Sequence, residues 1–389
     1  MMKKIYILAS LLMGAAALWS CDKADKTPVF NEPTEFVFNT PAYAGAEYDL
    51  KNSEVLVFTC SQPDYGYTAG VDYTLEISLK EDMSESIAVG TYNSATLEVD
   101  PESMAIAATT LLTTYAAKVE TDFPIVTPLY ARITAKLTNS GKGEIQSNIV
   151  KLEKVNVHFA LPPVELPKKL YMVGSDCNWD WNNSSLSFVE TNSHPELLWR
   201  LLWFSDGATF KFNMEQAWDN NEFGYDKAAA VVDNAGAGLS NSEGNFKIDN
   251  GGWYLVHVAT EIDGRKLLHT VTFEKPNVYL TGTVSHAFTK DDGTLDYWTG
   301  NNPIEANLFT VPETADGDFV SPAFTADAAA DSGVRAHVKI EGCEWWHTEF
   351  MVFSNKIEYR GTGGDQPRVT GAKDQKLYLN FSTDKGEIK

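Results

Sequence analysis

The sequence predicts an all-β chain made of three consecutive β-sandwiches. Short β-rich runs separated by turn signals fill the first part of the chain, and a diverged internal repeat fills the rest. Proline-rich segments separate these parts. With 389 residues, the chain is also too long to fold around one ordinary hydrophobic core, and its length fits two to four domains.

The chain begins with the features of a lipoprotein. Residues 1–20 combine a charged start with a short apolar run, which is typical of a signal peptide and too short to span a bilayer permanently. The run ends in Leu18-Trp19-Ser20-Cys21, similar to a bacterial lipobox, so we expect lipidation at Cys21 and a lipidated tether over residues 21–30. Without a later apolar span, the chain should contact the membrane only through this lipid. An ordinary signal peptide followed by a chance cysteine is the alternative.

The first predicted domain covers residues 31–158. Its β-rich runs include Val55 to Thr59, Asp72 to Leu79 and Leu129 to Leu137. One helix is expected within Pro101 to Ala117, because Asp100-Pro101-Glu102 supplies an N-cap, a proline at the first helical position and an acidic first turn.

Two repeats follow, at residues 168–275 and 276–389. The opening Tyr171-Met172-Val173-Gly174 is echoed by Tyr279-Leu280-Thr281-Gly282. Lys211 precedes Trp218 by seven residues, and Lys339 precedes Trp346 by the same interval. Each repeat therefore reads as one β-sandwich, which we call the middle module and the last module. The last module should carry an insertion around Ser285 to Gly317.

Charge and cysteine content restrict the function. A formal net charge of −22 argues against nucleic acid and anionic lipid as ligands and suits a neutral ligand. Cys60, Cys177 and Cys343 fall in different predicted domains and lack a CxxC pattern. We therefore interpret them as small buried apolar residues, with no disulfide, no cofactor and no metal.

One pattern resembles the opening of a calcium loop. Asp176, Asn178, Asp180 and Asn182 alternate, but Trp181 occupies the position that needs glycine. Ser187 also replaces the closing acidic residue. A polar turn that presents Trp179 and Trp181 is the better interpretation.

Catalytic signatures are missing from the sequence. It contains no GxSxG, HExxH, Walker A or glycine-rich dinucleotide motif. His257 and His269 alternate with apolar neighbours and fit core or surface positions. Most carboxylates lie in turns, so a weak glycosidase is only an alternative, and we predict that the protein is not an enzyme.

Aromatic and basic residues instead predict a sugar-binding site in each repeat. A sugar ring offers an apolar CH face for a flat indole and a rim of hydroxyls for hydrogen-bond donors. In the last module the candidates are Trp298, Arg335, Lys339, Trp345, Trp346 and Arg360. In the middle module they are Trp179 or Trp181, Lys211, Trp218 and Tyr225.

The local sequence also predicts which of these side chains are exposed. Arg335, His337 and Lys339 should share one strand face, whereas Trp345 and Trp346 should point in opposite directions, one into the core. Exposure is expected for tryptophans with polar neighbours, namely Trp181, Trp218 and Trp298. Core positions are expected for tryptophans in apolar runs, namely Trp199, Trp203 and Trp253.

The chain resembles the SusE-type surface starch-binding outer membrane lipoproteins of the Bacteroides starch-utilisation system. The resemblance rests on Phe58 to Gly66, Leu129 to Arg132, the Tyr-x-x-Gly openings, the Lys-to-Trp spacing and the closing Leu377 to Ser382. It implies an immunoglobulin-like N-terminal domain followed by two starch-binding β-sandwiches. It also implies glucan contacts at Trp298, Arg335, Trp345 or Trp346, and Arg360.

We therefore expect a non-catalytic protein of the outer membrane that binds starch at the cell surface. Its expected ligands are starch, amylopectin and maltooligosaccharides. Its expected partners are a transporter, other starch-binding lipoproteins and a separate amylase, and nucleic acid is not among them. The alternatives are a different polysaccharide bound by the same architecture, and a surface adhesion protein whose aromatic residues contact another protein.

Overall fold

The computed structural model describes residues 29–298 and 304–389, which fall into two compact units divided between Pro162 and Pro163. Both units are almost entirely β, and the described residues contain a single α-helix. The predicted all-β fold class is therefore confirmed. The predicted signal peptide, Cys21 and most of the tether lie outside the described residues. Within the described part of the chain, no helix has the length and apolar character to cross a bilayer.

The first unit contains eight strands in two sheets. They are β1 (Glu47–Asp49), β2 (Leu56–Thr59), β3 (Val71–Ser78), β4 (Ser86–Tyr92), β5 (Thr96–Val99), β6 (Ile125–Leu137), β7 (Ile145–Gln146) and β8 (Val150–Val157). The larger sheet has the order β1-β8-β6-β3-β4, with β7 paired to β6, while β2 and β5 form the smaller sheet. Alternate residues of β3 and β6 are buried, as expected for strands with one face on a core.

The predicted helix of this unit is present as α1, Pro101–Tyr115. The Asp100 side chain accepts hydrogen bonds from the backbone N–H groups of Glu102 and Ser103, at 3.3 and 3.1 Å. Pro101 occupies the first helical turn, where its missing N–H costs nothing. The helix buries apolar side chains such as Met104 and Leu111 in the core of the unit. The capping signal thus predicted the start of this helix correctly.

The middle module is a two-sheet sandwich. Its strands are β9 (Tyr171–Gly174), β10 (Val189–Thr191), β11 (His194–Phe204), β12 (Thr209–Asn213), β13 (Ala230–Asp233), β14 (Ser240–Ser242), β15 (Asn245–Lys247), β16 (Gly252–Asp263) and β17 (Lys266–Glu274). The five-stranded sheet has the order β10-β11-β16-β17-β13, and the four-stranded sheet has the order β14-β15-β12-β9.

The last module is built on a seven-stranded sheet and a small hairpin. Its strands are β18 (Tyr279–Thr281), β19 (Phe288–Thr289), β20 (Leu295–Asp296), β21 (Phe319–Val320), β22 (Arg335–His337), β23 (Glu349–Phe353), β24 (Lys356–Tyr359), β25 (Leu377–Asn380) and β26 (Lys385–Ile388). The large sheet runs β18-β22-β23-β24-β26-β25-β21, and β19 pairs with β20 in the hairpin.

The five-stranded sheet of the middle module is buried on both faces. Leu198 and Leu202 of β11 pack into the core of their own module, whereas Trp199 and Leu201 belong to a core shared with the last module. The indole of Trp199 lies 6.2 Å from the ring of Phe350, centroid to centroid. The last module therefore uses this sheet as a packing layer, and the two modules share one hydrophobic core.

The shared core explains the tryptophans that the sequence places in apolar runs. Trp199 and Trp253 are 1% and 5% exposed, so the prediction for both is confirmed, and Trp203 is half-buried. A polar link accompanies the apolar contact. The buried guanidinium of Arg200 donates to the Phe381 carbonyl at 3.0 Å and to the Asp384 carboxylate at 2.7 Å.

Candidate functional site

The last module presents three half-buried indoles, Trp298, Trp345 and Trp346, which we call the last-module platform. The ring centroids of Trp298 and Trp345 lie 5.0 Å apart, with 31° between the planes. Trp345 and Trp346 begin a 3₁₀ turn, Trp345–His347. Successive side chains of such a turn diverge by about 120° rather than 180°. The expectation that one of this pair enters the core is therefore wrong, since both keep exposed surface.

The backbone beside Trp298 is held by local polar contacts and a glycine. The N–H of Trp298 donates to the Asp296 carboxylate at 2.8 Å. Gly282, which closes the Tyr-x-x-Gly opening, has φ +97°, and a Cβ there would lie 2.7 Å from the Ser332 hydroxyl oxygen and 3.6 Å from the Trp298 ring. This glycine permits both the unusual backbone angle and the close approach of neighbouring chain.

Two guanidinium groups lie against the platform. The guanidinium carbon of Arg335 is 5.7 Å from the ring centroids of both Trp298 and Trp345. That of Arg360 is 4.9 Å from the ring centroid of Trp346. These are cation–π distances, so each indole has a cation near one face. We expected Arg335 at the rim of the indoles, but it is only 3% exposed and lies behind them. Arg360 keeps 16% of its side chain exposed.

A buried acidic residue joins the two cations. Glu349 is 1% exposed and accepts one hydrogen bond from Arg335 and one from Arg360, each at 2.6 Å. The exposed carboxylate of Asp365 accepts a longer hydrogen bond from Arg335, at 3.3 Å, and a short one from Arg368, at 2.6 Å. The bond from Arg368, together with the nearby charges of both arginines, holds the pKa of Asp365 well below its usual range despite partial desolvation.

Lys339 lies apart from the platform contacts. The strand that contains Arg335 ends at His337, and both of these residues are buried, whereas Lys339 is exposed beyond the strand end. The predicted shared face of the three residues is therefore wrong. The backbone N–H of Lys339 donates to Asn277 at 2.6 Å, and its side chain lines a polar cleft of about 670 Å³ with Glu274 and Glu344.

In the middle module, Trp179, Trp181 and Trp218 come together, and we call them the middle-module cluster. The ring centroid of Trp218 lies 6.5 Å from that of Trp179 and 5.2 Å from that of Trp181. Trp218 is 54% exposed, as predicted, but Trp181 is only 6% exposed, so its predicted exposure is wrong. Trp181 opens a 3₁₀ turn capped by the Asp180 side chain, and this turn directs the indole inward.

The backbone at Trp179 is strained. Asn178 and Trp179 have φ values of +55° and +58°, in the left-handed region that bulky side chains rarely adopt. Asparagine tolerates this region, but a tryptophan there costs about 1–3 kcal/mol, and such strain is concentrated at functional sites. Here it places the half-buried Trp179 beside the exposed Trp218.

The other two middle-module candidates are less closely tied to the indoles. Lys211 is a half-buried residue of β12, between the core residues Phe210 and Phe212. Tyr225 packs edge-on against Phe246 at 5.7 Å. Among the ring and cation–π contacts of the described residues, none joins Lys211 or Tyr225 to the cluster. Their role in binding stays a prediction.

Sequence reasoning missed Glu349 and Gln216. Gln216 donates from its amide to the Ser184 hydroxyl at 2.8 Å, which ties the loop before Trp218 to the turn of Trp181. Glu349 opens the apolar strand Glu349–Phe353. The sequence offered one signal for Glu349: it is a single carboxylate at the start of an apolar strand, in a module that contains arginines.

One group of described residues has the composition of a metal site. Possible ligand atoms of His194, Cys343 and His347 lie within 4.8 Å of one another. However, Nδ1 of His347 accepts a hydrogen bond from the Glu344 backbone N–H, so a neutral ring carries its proton on Nε2 and has no free lone pair. Burial, followed by the nearby Glu196 carboxylate, raises the pKa of the Cys343 thiol to about 11. In this conformation the His347 ring and the Cys343 thiol are therefore not arranged to bind a metal.

The remaining candidate ligands have structural roles. Cys60, Cys177 and Cys343 are free thiols; Cys60 and Cys343 are buried, as predicted, whereas Cys177 is only half-buried, so the prediction for it is wrong. In the calcium-like segment, Asp176 accepts from the Ser205 N–H at 2.9 Å and Asp180 caps its own turn. His269, predicted as a satisfied core or surface residue, is buried and bonded to the Thr260 hydroxyl at 3.0 Å.

Two family models match the chain. The family described as SusF/SusE starch specific CBMs matches residues 169–273 and again residues 277–387, so one match falls on each repeat. The family described as SusE outer membrane protein matches residues 23–132. Together these matches extend over both units.

The chain is also similar to a curated protein, the outer membrane protein SusF of Bacteroides thetaiotaomicron. The two are 37% identical over 243 residues, which is 61% of this chain and 47% of that protein. The chain thus spans about half the length of this relative. A crystal structure of SusF from Bacteroides thetaiotaomicron aligns with a TM-score of 0.48 at 23% identity, covering 92% of this chain and 100% of that one.

Proposed function

This chain belongs to the SusF/SusE family of starch-specific carbohydrate-binding modules at the outer membrane, and we propose that it holds starch or a related α-1,4-glucan at the cell surface without cleaving it. The observation that carries the proposal is the last-module platform, three partly exposed indoles backed by two guanidinium groups. The middle-module cluster supplies a second aromatic site.

The chemistry of these sites suits a neutral sugar polymer. The apolar CH face of a glucose ring stacks on an indole, and donors beside the ring bind its hydroxyls. Arg360 is the donor best placed for this role, because part of its side chain is exposed beside Trp346. Both oxygens of the buried Glu349 already accept from arginines, which makes this carboxylate unsuited to proton transfer to a sugar.

Two weak sites on one chain favour a polymer over a short ligand. A shallow site of one or two indoles would reach a Kd of roughly mM to µM. A polymer that reaches both sites gains avidity by roughly 10² to 10⁴. Such a protein would retain polysaccharide for a separate amylase and a transporter, together with other starch-binding lipoproteins.

The first test is a ligand panel. The protein from residue 22 onward would be run in native affinity gels containing amylopectin, pullulan, dextran, xyloglucan, inulin or mannan. Retardation by amylopectin and pullulan alone is the expected result. Retardation by another glycan would reassign the ligand, and no retardation would favour the protein-adhesion alternative.

A second test addresses the sites. Trp218→Ala and Trp298→Ala would be compared singly and together for amylopectin binding. Each single variant should bind amylopectin through one site only and so lose the gain from avidity. The double variant should lose nearly all binding to amylopectin. Equal binding by the double variant and the wild type would refute both assignments. Continued binding with release of reducing sugar would instead indicate an enzyme.

A further inference from the structure

We propose that Glu349 is the positioning residue of the last-module site, whose carboxylate fixes the guanidiniums of Arg335 and Arg360 against the platform before any glucan arrives. The inference rests on the proposed function for its binding consequence. The positioning itself concerns the ligand-free protein and can be measured there.

The geometry of Glu349 is that of a two-sided anchor. Its side chain is fully buried at the start of β23. One carboxylate oxygen accepts from Arg335 and the other from Arg360, each at 2.6 Å. Short distances of this kind are typical of charge-assisted hydrogen bonds, which are stronger than neutral ones. One acidic side chain therefore fixes two cations that come from different strands and loops.

Each of these cations lies over an indole of the platform. Arg335 is near both Trp298 and Trp345, and Arg360 is near Trp346. Arg335 is fixed further by its Nε–H, which donates to the Ser332 carbonyl at 2.9 Å. The contacts thus run from one carboxylate through two guanidiniums to all three indoles. A change at Glu349 should reach every ring of the platform.

Asp365 cannot replace Glu349 in this role. Its side chain is 54% exposed and lies 3.3 Å from Arg335, and Arg368 holds it more closely, at 2.6 Å. Water and salt screen an exposed pair of this kind. Without Glu349, two largely buried guanidiniums would lack their shared counter-ion and would turn toward solvent, away from the rings.

The test compares Glu349→Gln with a matched control. Both would be made in a Trp218→Ala background, so that the measured glucan binding comes only from the last-module site. Gln keeps the shape of the side chain but removes the charge. The control is Asp384→Asn, which removes the carboxylate that pairs with buried Arg200 at 2.7 Å without touching the platform. Near-UV circular dichroism would report the indole geometry without ligand, and calorimetry would report the affinity for maltoheptaose.

Glu349→Gln should change the near-UV spectrum and weaken maltoheptaose binding about tenfold. Asp384→Asn should lower the unfolding temperature but preserve the affinity; its spectrum should change only through Tyr359, whose hydroxyl donates to Asp384 at 2.7 Å. If Glu349→Gln does not fold, Glu349→Asp decides, because its shorter side chain keeps the charge but cannot reach both arginines. A folded Glu349 variant with the parent spectrum and affinity would overturn the proposal.

The two proposals fail in different ways. If the Trp218→Ala parent binds no glucan, the last-module assignment under the proposed function fails, while the ligand-free spectra still decide whether Glu349 positions the indoles. If the parent binds and Glu349→Gln changes neither readout, the glucan site stands and only the positioning role is refuted.

Discussion

The two aromatic sites are supported in different ways. In the last module, charged groups support the indoles: the buried Glu349 carboxylate bonds to the buried Arg335 and to the partly exposed Arg360. In the middle module, the described cation–π contacts include none of the three indoles, and Trp218 instead rests on the buried Trp181. One site therefore depends on electrostatics and the other on aromatic packing.

This difference predicts which substitutions affect stability and which affect only binding. A buried aromatic support is part of the core, so its loss should destabilise the fold. Half-exposed indoles over fixed cations contribute less to the core, so their loss should mainly affect the ligand. The following experiments test this contrast.

The largest effect is expected from Trp181→Ala in the middle module. Removing this indole, which is 6% exposed, should lower the free energy of unfolding by about 3–5 kcal/mol because it leaves a cavity. It should also weaken glucan binding at Trp218. The matched variant Trp345→Ala removes a half-buried indole and should cost only about 1–2 kcal/mol. Denaturant unfolding would measure both, and equal costs would contradict the contrast.

Each module also contains a buried histidine that should make the fold sensitive to acid. Burial lowers the pKa of His269 to about 4 and that of His337 to about 3, while the nearby Lys339 charge adds to the effect at His337. An unfolded histidine titrates near pH 6.5, so protons bind preferentially to the unfolded chain below that pH. Stability should therefore be complete near pH 7 and fall as the pH drops.

The expected loss between pH 7 and pH 5 is about 2 kcal/mol from each histidine. Denaturant titrations at pH 7, 6 and 5 would measure it. His337→Gln should remove one histidine's contribution to the loss of unfolding free energy between pH 7 and pH 5, and His269→Gln should do the same. A free energy of unfolding that stays constant across this range would show that the two rings are not buried as neutral groups.

A smaller effect is expected at the glycine beside Trp298. Gly282→Ala should lower the free energy of unfolding by about 1–2 kcal/mol through backbone strain and should weaken binding at the platform. The added methyl would lie 2.7 Å from the Ser332 hydroxyl oxygen and 2.9 Å from the backbone carbonyl oxygen of Gly333. Gly236→Ala is the matched control, since Gly236 also has a positive φ but open space around it. Binding unchanged by Gly282→Ala would mean that this close approach does not place Trp298.

The smallest effect is expected for Arg360→Lys. Lysine keeps the charge but loses the planar group that lies over Trp346, so the affinity for maltoheptaose should fall about three- to tenfold. Arg132→Lys alters a comparable ion pair in the first unit and should leave binding unchanged. Calorimetry of both variants would show whether planarity contributes beyond charge.

Local signals predicted local features well. The N-cap at Asp100 located the helix, and polar neighbours correctly indicated the exposure of Trp218. The same neighbour rule failed for Trp181, because a 3₁₀ turn reversed the direction of its side chain. A short turn of this kind has no periodic pattern, so the sequence offers little sign of it.

Features that depend on distant parts of the chain were harder to predict. The partners of Glu349 are 14 and 11 residues away along the chain. The local sequence around Glu349 therefore does not identify them. The shared core did leave a signal, since Leu197 to Phe204 of β11 is a nearly unbroken apolar run rather than an alternating one. A run of this type indicates a strand buried on both faces.

The doubly buried sheet also has an evolutionary consequence. One family match falls on each module, which fits duplication of one segment. The two modules now depend on each other, because removal of the last module would expose Trp199, Leu201 and Trp253 to water. Substitutions at either site can therefore alter its ligand preference separately, but loss of one module should destabilise the other.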